Sequence, residues 1–207
     1  MTALEALSIS PLDRKIRILD AAERCFVRTG FHKATMQDVA TDCGMSQGNL
    51  YRYFPSKDAI VAGLAERDRE QFNADFARLL DAPHPLKAFV AMGHHHLVAE
   101  PRSKAIMMME IWAEASRNPR IATICAATDL SCAECMTTFI AHWRLTEGVV
   151  GIGSPSEVAA LIIALGDGLF RLRATNADFD AGAAFSFALP VILNMVGVQP
   201  TDLLEIE

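Results

Sequence analysis

The chain has 207 residues, 51% of them hydrophobic, and a formal net charge of −6 at pH 7. The apolar share is ample for a core, and the length admits one large domain or a small one followed by a larger one. An acidic total argues against a uniformly basic nucleic-acid coat, but the charge is unevenly spread. From Pro11 to Ile60 there are eight Lys or Arg and six Asp or Glu, net +2, whereas Val61 to Glu207 holds eleven against eighteen. An acidic remainder keeps the bulk of the molecule off a polyanion and leaves the first sixty residues free to approach one. The N-terminus, MTALEALSISPLDRK, has no basic segment followed by a long apolar run, so it does not read as a signal peptide. Five cysteines, at 25, 43, 125, 132 and 135, are an odd number in mostly helical contexts, which points to a reducing cytoplasm and not to a disulfide framework.

In chain order, Ser10-Pro11 followed by Asp13 opens a first helix with proline at its preferred first position. Leu12, Ile16, Leu19, Ala22 and Phe26 form its apolar stripe, and Gly30 closes it. The stretch TMQDVATDCGMSQGNLYRYF, residues 35–54, then reads as two short helices joined by a tight turn. Thr35 and Asp38 have capping-box spacing, small Ala40 permits a close backbone approach, and Gly44 ends the first of the pair. Ser46 caps the second, which Leu50 and Phe54 anchor inward. Its outward residues are Gln47, Asn49, Tyr51, Arg52 and Tyr53, with Lys57 just beyond. These amide, phenol and cationic groups are the types that hydrogen-bond base edges and phosphates.

Pro55 stops that helix and Ser56 caps a long one running to about Leu80, which connects a small domain to a larger one. Asp81-Ala-Pro83-His-Pro85 is a break. Leu86, Phe89, Val90 and Leu97 mark the next helix, which ends near Pro101. A Met-rich helix covers Ser103 to Arg117, Asn118-Pro119 breaks it, and Arg120 to Glu147 reads as one long helix before a glycine-rich loop, 148–153. Ser154-Pro155-Ser156-Glu157 opens a further helix, and no stretch alternates long enough to be a strand. Residues 181–198 carry no charge, near the lower limit for a membrane span, but Ser186, Pro190 and Asn194 interrupt them and no basic cluster follows. A helix buried in a protein interface, without a membrane partner, is the better reading.

The segment ILDAAERCFVRTGFHKATMQDVATDCGMSQGNLYRYFPSKDAI, with its Gly-Asn-Leu-Tyr-X-Tyr-Phe-X-X-Lys core, resembles the DNA-binding domain of TetR-family transcriptional regulators without a gap. The resemblance covers residues 12–71. It implies an all-α protein: a flexible arm over 1–11, a three-helix helix-turn-helix domain over 12–71 with its motif at 35–54, and a helical ligand-binding and dimerisation domain over 72–207. It assigns DNA contacts to Thr35, Ser46, Gln47, Gly48, Asn49, Tyr51, Arg52, Tyr53 and Lys57, with Tyr51 and Lys57 on phosphates. The implied function is a cytoplasmic, homodimeric regulator, a repressor released from a palindromic double-stranded operator by a small lipophilic or aromatic effector, with no cofactor.

The middle of the chain supplies sulfur and aromatic surface suited to such an effector: Phe89, Met92, Met108, Trp112, Phe139, His142 and Trp143. In the last two helices, Leu161, Leu165, Gly168 and Leu172, then Phe185, Leu189 and Ile192, repeat at helical spacing and read as a dimer contact, with Gly168 thinning the helix for a partner. His94-His95-His96 cannot chelate one ion from a regular helix, because neighbours point about 100° apart; His94, four after Val90, is the one expected to reach inward. Cys125, Cys132 and Cys135 leave open a redox- or metal-sensing regulator. An enzyme or adaptor on the same scaffold is a further alternative, although no phosphate loop, nucleophile elbow or HExxH is present and no catalytic or metal residue is assigned.

Overall fold

The computed structural model describes residues 10–198, and among these all regular structure is helical. The arm expected over 1–11 lies outside the described residues except for Ser10 and Pro11, which already begin the first helix. α1 is Pro11–Thr29, α2 Met36–Asp42, α3 Gln47–Tyr53 and α4 Lys57–Leu80. α5, Pro85–His94, runs on into a π-helical turn, His95–Ala99. α6 is Arg102–Ala115, α7 Pro119–Glu147, α8 Pro155–Thr175 and α9 Ala181–Val196.

The starts of these helices are written in local chemistry. Ser10 with Asp13, Thr35 with Asp38 and Ser154 with Glu157 form complete capping boxes, each satisfying donors the first turn would otherwise orphan. Gly44, at φ 71°, makes the turn between α2 and α3 in a left-handed conformation that a side chain disfavours. Gly63 serves close approach instead: a Cβ there would stand 2.8 Å from the Phe54 ring, so α4 can lie against Phe54 and Leu19 only as glycine.

Two apolar cores divide along α4. The first gathers Ile18, Phe26, Val39, Leu50 and Ile60, together with Met107 and Ile111 of α6 and Ile121 of α7. The second gathers Phe76, Phe89, Phe139, Ile140, Val158 and Val196. α4 packs along α7, α8 lies against α6 and α7, and α9 covers α8 and the π-helical turn. α7 is long and apolar enough to cross a membrane by length and composition, but it threads between α4, α6 and α8. Arg144 closes the far end, donating to Gly153 O at 2.7 Å and Met195 O at 2.7 Å, so the 148–153 loop is tied to the end of α9.

The π-helical turn is not legible in the apolar spacing, and it changes what faces inward. A wider turn leaves backbone carbonyls without helical partners. Buried Arg173 of α8 takes up two of them, donating from Nη1 to Leu97 O at 2.9 Å and from Nη2 to Glu100 O. Arg102 in turn donates from Nε to Arg173 O at 2.7 Å. With the register shifted, His94 is exposed against the edge of Phe185, and His96 turns in, its Nε2 buried without a partner. The expectation for His94 is therefore corrected to His96.

Candidate nucleic-acid interface and ligand cavity

α2 and α3 form the helix-turn-helix, held to α1 from behind. Arg24 and Arg28 of α1 grip Asp42 at the end of α2, at 2.6 and 3.1 Å, and these two guanidinium contacts hold the Asp42 carboxyl below the usual carboxylate range. Arg17 donates to Cys43 O at 3.4 Å. α3 hangs on Leu50 and Phe54, both buried, and starts where Ser46 Oγ accepts from Asn49 N at 3.3 Å. On its open side Gln47, Gly48, Tyr51 and Arg52 are exposed, and Asn49 and Tyr53 are half-buried. Tyr53 accepts from Arg14 Nη1 at 3.4 Å. Thr35 and Ser46 spend their hydroxyls on helix caps. Lys33, exposed two residues before Thr35 and without an ion pair among the described residues, is a further cation at this edge that the motif spacing does not single out.

Lys57 does not stand free for a phosphate. Its ammonium turns back under the loop between α1 and α2, donating to Phe31 O at 2.7 Å, Ala34 O at 3.2 Å and His32 O at 3.4 Å. It also sits 4.3 Å above the Phe31 ring. Burial pushes its pKa down, with Glu114 and Asp58 opposing. The reason is local: the loop's carbonyls have no helix to bond to, and Lys57 is the cation within reach. In this arrangement its ammonium ties that loop to the start of α4.

The same loop meets the larger part of the molecule through α6. Phe31 N donates to the Glu110 carboxylate, and Arg117 Nη2 lies 3.1 Å from His32 Nε2. Two residues to either side of Glu110 on α6, Met108 and Trp112 face a cavity of about 480 Å³ bounded by α4, α5, the π-helical turn, α6, α7, α8 and α9. Of the residues expected to line it, Phe89, Met92, Met108 and Trp112 do so. Phe139 is instead buried in the second core, stacked on Phe89 at 4.8 Å. His142 is exposed, because it falls on the outer face of α7, and Trp143 packs against the second core and against Leu86, Leu193 and Val198. Residues not anticipated from sequence complete the walls, among them Phe72, His96, Met136, Asp167, Phe170 and Phe185.

The cysteines are poor sensors as placed. Burial, with Cys135 and Asp129 adding to it, pushes the Cys132 thiol up to about 12. Burial also raises Cys125 and Cys135, and Cys135 Sγ donates to Asn73 Oδ1 at 3.1 Å. Thiols held protonated are weak nucleophiles and weak ligands. Among the described residues no three His, Cys, Asp or Glu side chains are grouped to hold a metal ion.

The outer face of α8 and α9 carries Leu161 (48% exposed), Leu165 (38%), Phe187 (86%) and Val191 (56%). Gly168 is open on this side, with nothing within 4 Å of a Cβ placed there, and Leu172 is half-buried. Phe185, Leu189 and Ile192 do not belong to that face. They turn inward and line the cavity, and Phe187 and Val191 take their place outside. α9 is apolar on nearly every side, so a spacing of three and four cannot tell its inner stripe from its outer one.

Comparison with known proteins agrees with this architecture. Residues 18–64 match the profile of the bacterial regulatory proteins of the tetR family. The chain is 32% identical over 114 residues to the HTH-type transcriptional regulator UidR of Escherichia coli K12, a match covering 53% of this chain and 56% of UidR. The chain thus spans about half the length of that curated relative. Among solved structures, Salmonella enterica GusR superposes with a TM-score of 0.74 at 23% identity, covering 93% of this chain and 99% of that one. SmeT, solved as a complex with triclosan, gives 0.72 at 20% identity, covering 87% and 90%. Residues 18–64 thus carry the sequence profile of the tetR family of bacterial regulatory proteins, and the chain as a whole shares its all-helical fold with the solved structures named above.

Proposed function

We propose that this chain is a homodimeric, cytoplasmic transcriptional regulator, a repressor that leaves its operator when a lipophilic or aromatic effector fills the cavity. Residues 12–71 are the DNA-binding domain and 72–207 the effector and dimerisation domain. The observation that carries the reading is a single helix, α6, that faces the cavity with Met108 and Trp112 and the DNA-binding domain with Glu110. Gln47, Asn49, Tyr51 and Arg52 supply groups for base edges and phosphates on the open side of α3. The outer faces of α8 and α9 offer an exposed apolar surface of the kind a second copy covers. Two recognition helices in successive major grooves must lie about 34–36 Å apart. An effector that shifts α4 or α6 changes that spacing, and both half-sites can no longer be held together. A known complex of a structural relative with triclosan, an aromatic lipophile, is in keeping with the cavity's walls.

A gel shift against the DNA upstream of the chain's own coding region tests this. A retarded band that dissociates as an effector is added is the expected outcome. No retardation of that DNA, or of any site selected from a random pool, would sink the proposal.

A further inference from the structure

The cavity is walled mostly by apolar side chains, but its charges are unequal. Asp68, Asp75, Glu100 and Asp167 line it against two cations, Arg69 and Lys104. Both cations are already engaged within the chain. Arg69 Nη2 donates to the two Glu66 oxygens at 2.6 and 2.5 Å, and Lys104 Nζ lies 3.4 Å from Glu100 Oε1. Asp75 is held by Arg78 and accepts from Gln71 at 3.0 Å, and Asp68 lies 3.5 Å from Arg67 Nε. Asp167 is different. Among the described residues it has neither an ion pair nor a hydrogen bond; it is exposed to solvent where it lines the cavity, and partial desolvation followed by the like charge of Asp129 raises its pKa. A second polar atom is also unsatisfied: His96 Nε2, sealed from solvent without a partner. Burial lowers the pKa of His96, so its ring is neutral and can accept a hydrogen bond from a bound molecule.

We propose that the effector is an organic cation, an aromatic or lipophilic body whose positive charge is held against Asp167 and whose polar hydrogen, where it has one, is taken by His96. The inference rests on reading this cavity as the effector site. A neutral lipophile entering the cavity would strip water from the Asp167 carboxylate and give nothing back. An anion would add repulsion from four carboxylates, with no uncommitted cation to offset it. A cation reverses the sign of both effects, and the aromatic lining residues Phe72, Trp112 and Phe170 are of the type that attracts positive charge through the negative face of the ring.

Three probes of related shape separate these cases on the full chain without DNA: tetraphenylphosphonium, tetraphenylborate and neutral triphenylphosphine oxide. In calorimetric titration the phosphonium should bind tightest. Asp167→Asn should weaken it about tenfold while leaving the phosphine oxide within about twofold. The ranking on the unaltered chain needs no variant to fold. Tighter binding of the borate or the oxide, or an Asp167→Asn effect equal on all three probes, overturns the charge inference. Binding of none of them overturns it as well. The operator gel shift decides the broader regulatory reading independently, so a regulator with a neutral or anionic effector remains distinguishable from a protein that does not bind DNA.

Discussion

Lys57 shows that a residue's type does not by itself fix what its side chain bonds to. A lysine just past a recognition helix invites assignment to a phosphate, yet its ammonium is held by three loop carbonyls. Lys57→Met keeps most of the alkyl stem and removes those charged hydrogen bonds, so it should lower stability by about 1–2 kcal/mol in urea unfolding. A phosphate contact would instead contribute about 0.9 to the slope of log affinity against log salt. We expect that slope to be unchanged in Lys57→Met once the protein is fully folded. Gln47 and Asn49 differ, because neither side chain makes a hydrogen bond among the described residues. Replacing either by alanine should cost about 1–3 kcal/mol on the cognate operator and relax preference at one base pair of each half-site. Selectivity preserved in both variants, measured on single-substitution operators, would remove base readout from these positions.

At the level of elements, the fold was legible wherever a local rule fixes the backbone. Capping boxes at Ser10, Thr35 and Ser154, and Gly44 between α2 and α3, are short-range chemistry and can be read directly. The π-helical turn could not be read, because its support comes from Arg173, more than seventy residues later. For the same reason His96, and not His94, faces the cavity. The cavity itself was legible only in part: Met108 and Trp112 share one stripe of α6, but Phe72 and Asp167 come from α4 and α8 and meet only in the folded chain. Two predictions belong here. Asp42 joins α2 to α1 through Arg24 and Arg28, and these contacts depress its folded-state pKa below its unfolded value. Its stabilisation is therefore present above the ordinary carboxylate pKa of about 4 and is lost as pH falls through the lower, folded value. Asp42→Asn should accordingly flatten the acid limb of a stability-against-pH curve; an unaltered limb would exclude Asp42 as a contributor. α6 carries the other prediction. Glu110→Ala leaves Phe31 N–H without its acceptor while Met108 and Trp112 keep the cavity intact. An effector should then raise the melting temperature as before, but its effect on operator affinity should shrink by about 1 kcal/mol. Glu110→Gln, which retains an acceptor oxygen, should restore much of that coupling.

For the whole molecule the decisive question is what covers the outer faces of α8 and α9. Leu161, Leu165, Phe187 and Val191 put large apolar side chains into solvent on adjoining helices, and such a surface is stable in water only singly or when covered. Gly168 lies on the same side of α8 with open space where a Cβ would go. A Cβ there meets nothing within 4 Å among the described residues, so Gly168→Leu should leave the melting of the isolated fold almost unchanged. In a dimer packed through this face the same side chain intrudes on a partner helix, and overpacking of that kind costs about 1–3 kcal/mol. The variant should therefore sediment toward monomer and lose affinity for a full operator. A half-site should be bound as before, since only the linkage of two identical halves is broken. Phe187→Ser, which removes apolar area without adding bulk, should shift the equilibrium in the same direction and excludes a purely steric artefact. A Gly168→Leu protein that stays dimeric and holds the full operator normally would place the second copy on another surface, and the exposed leucines of α8 would then need a different partner.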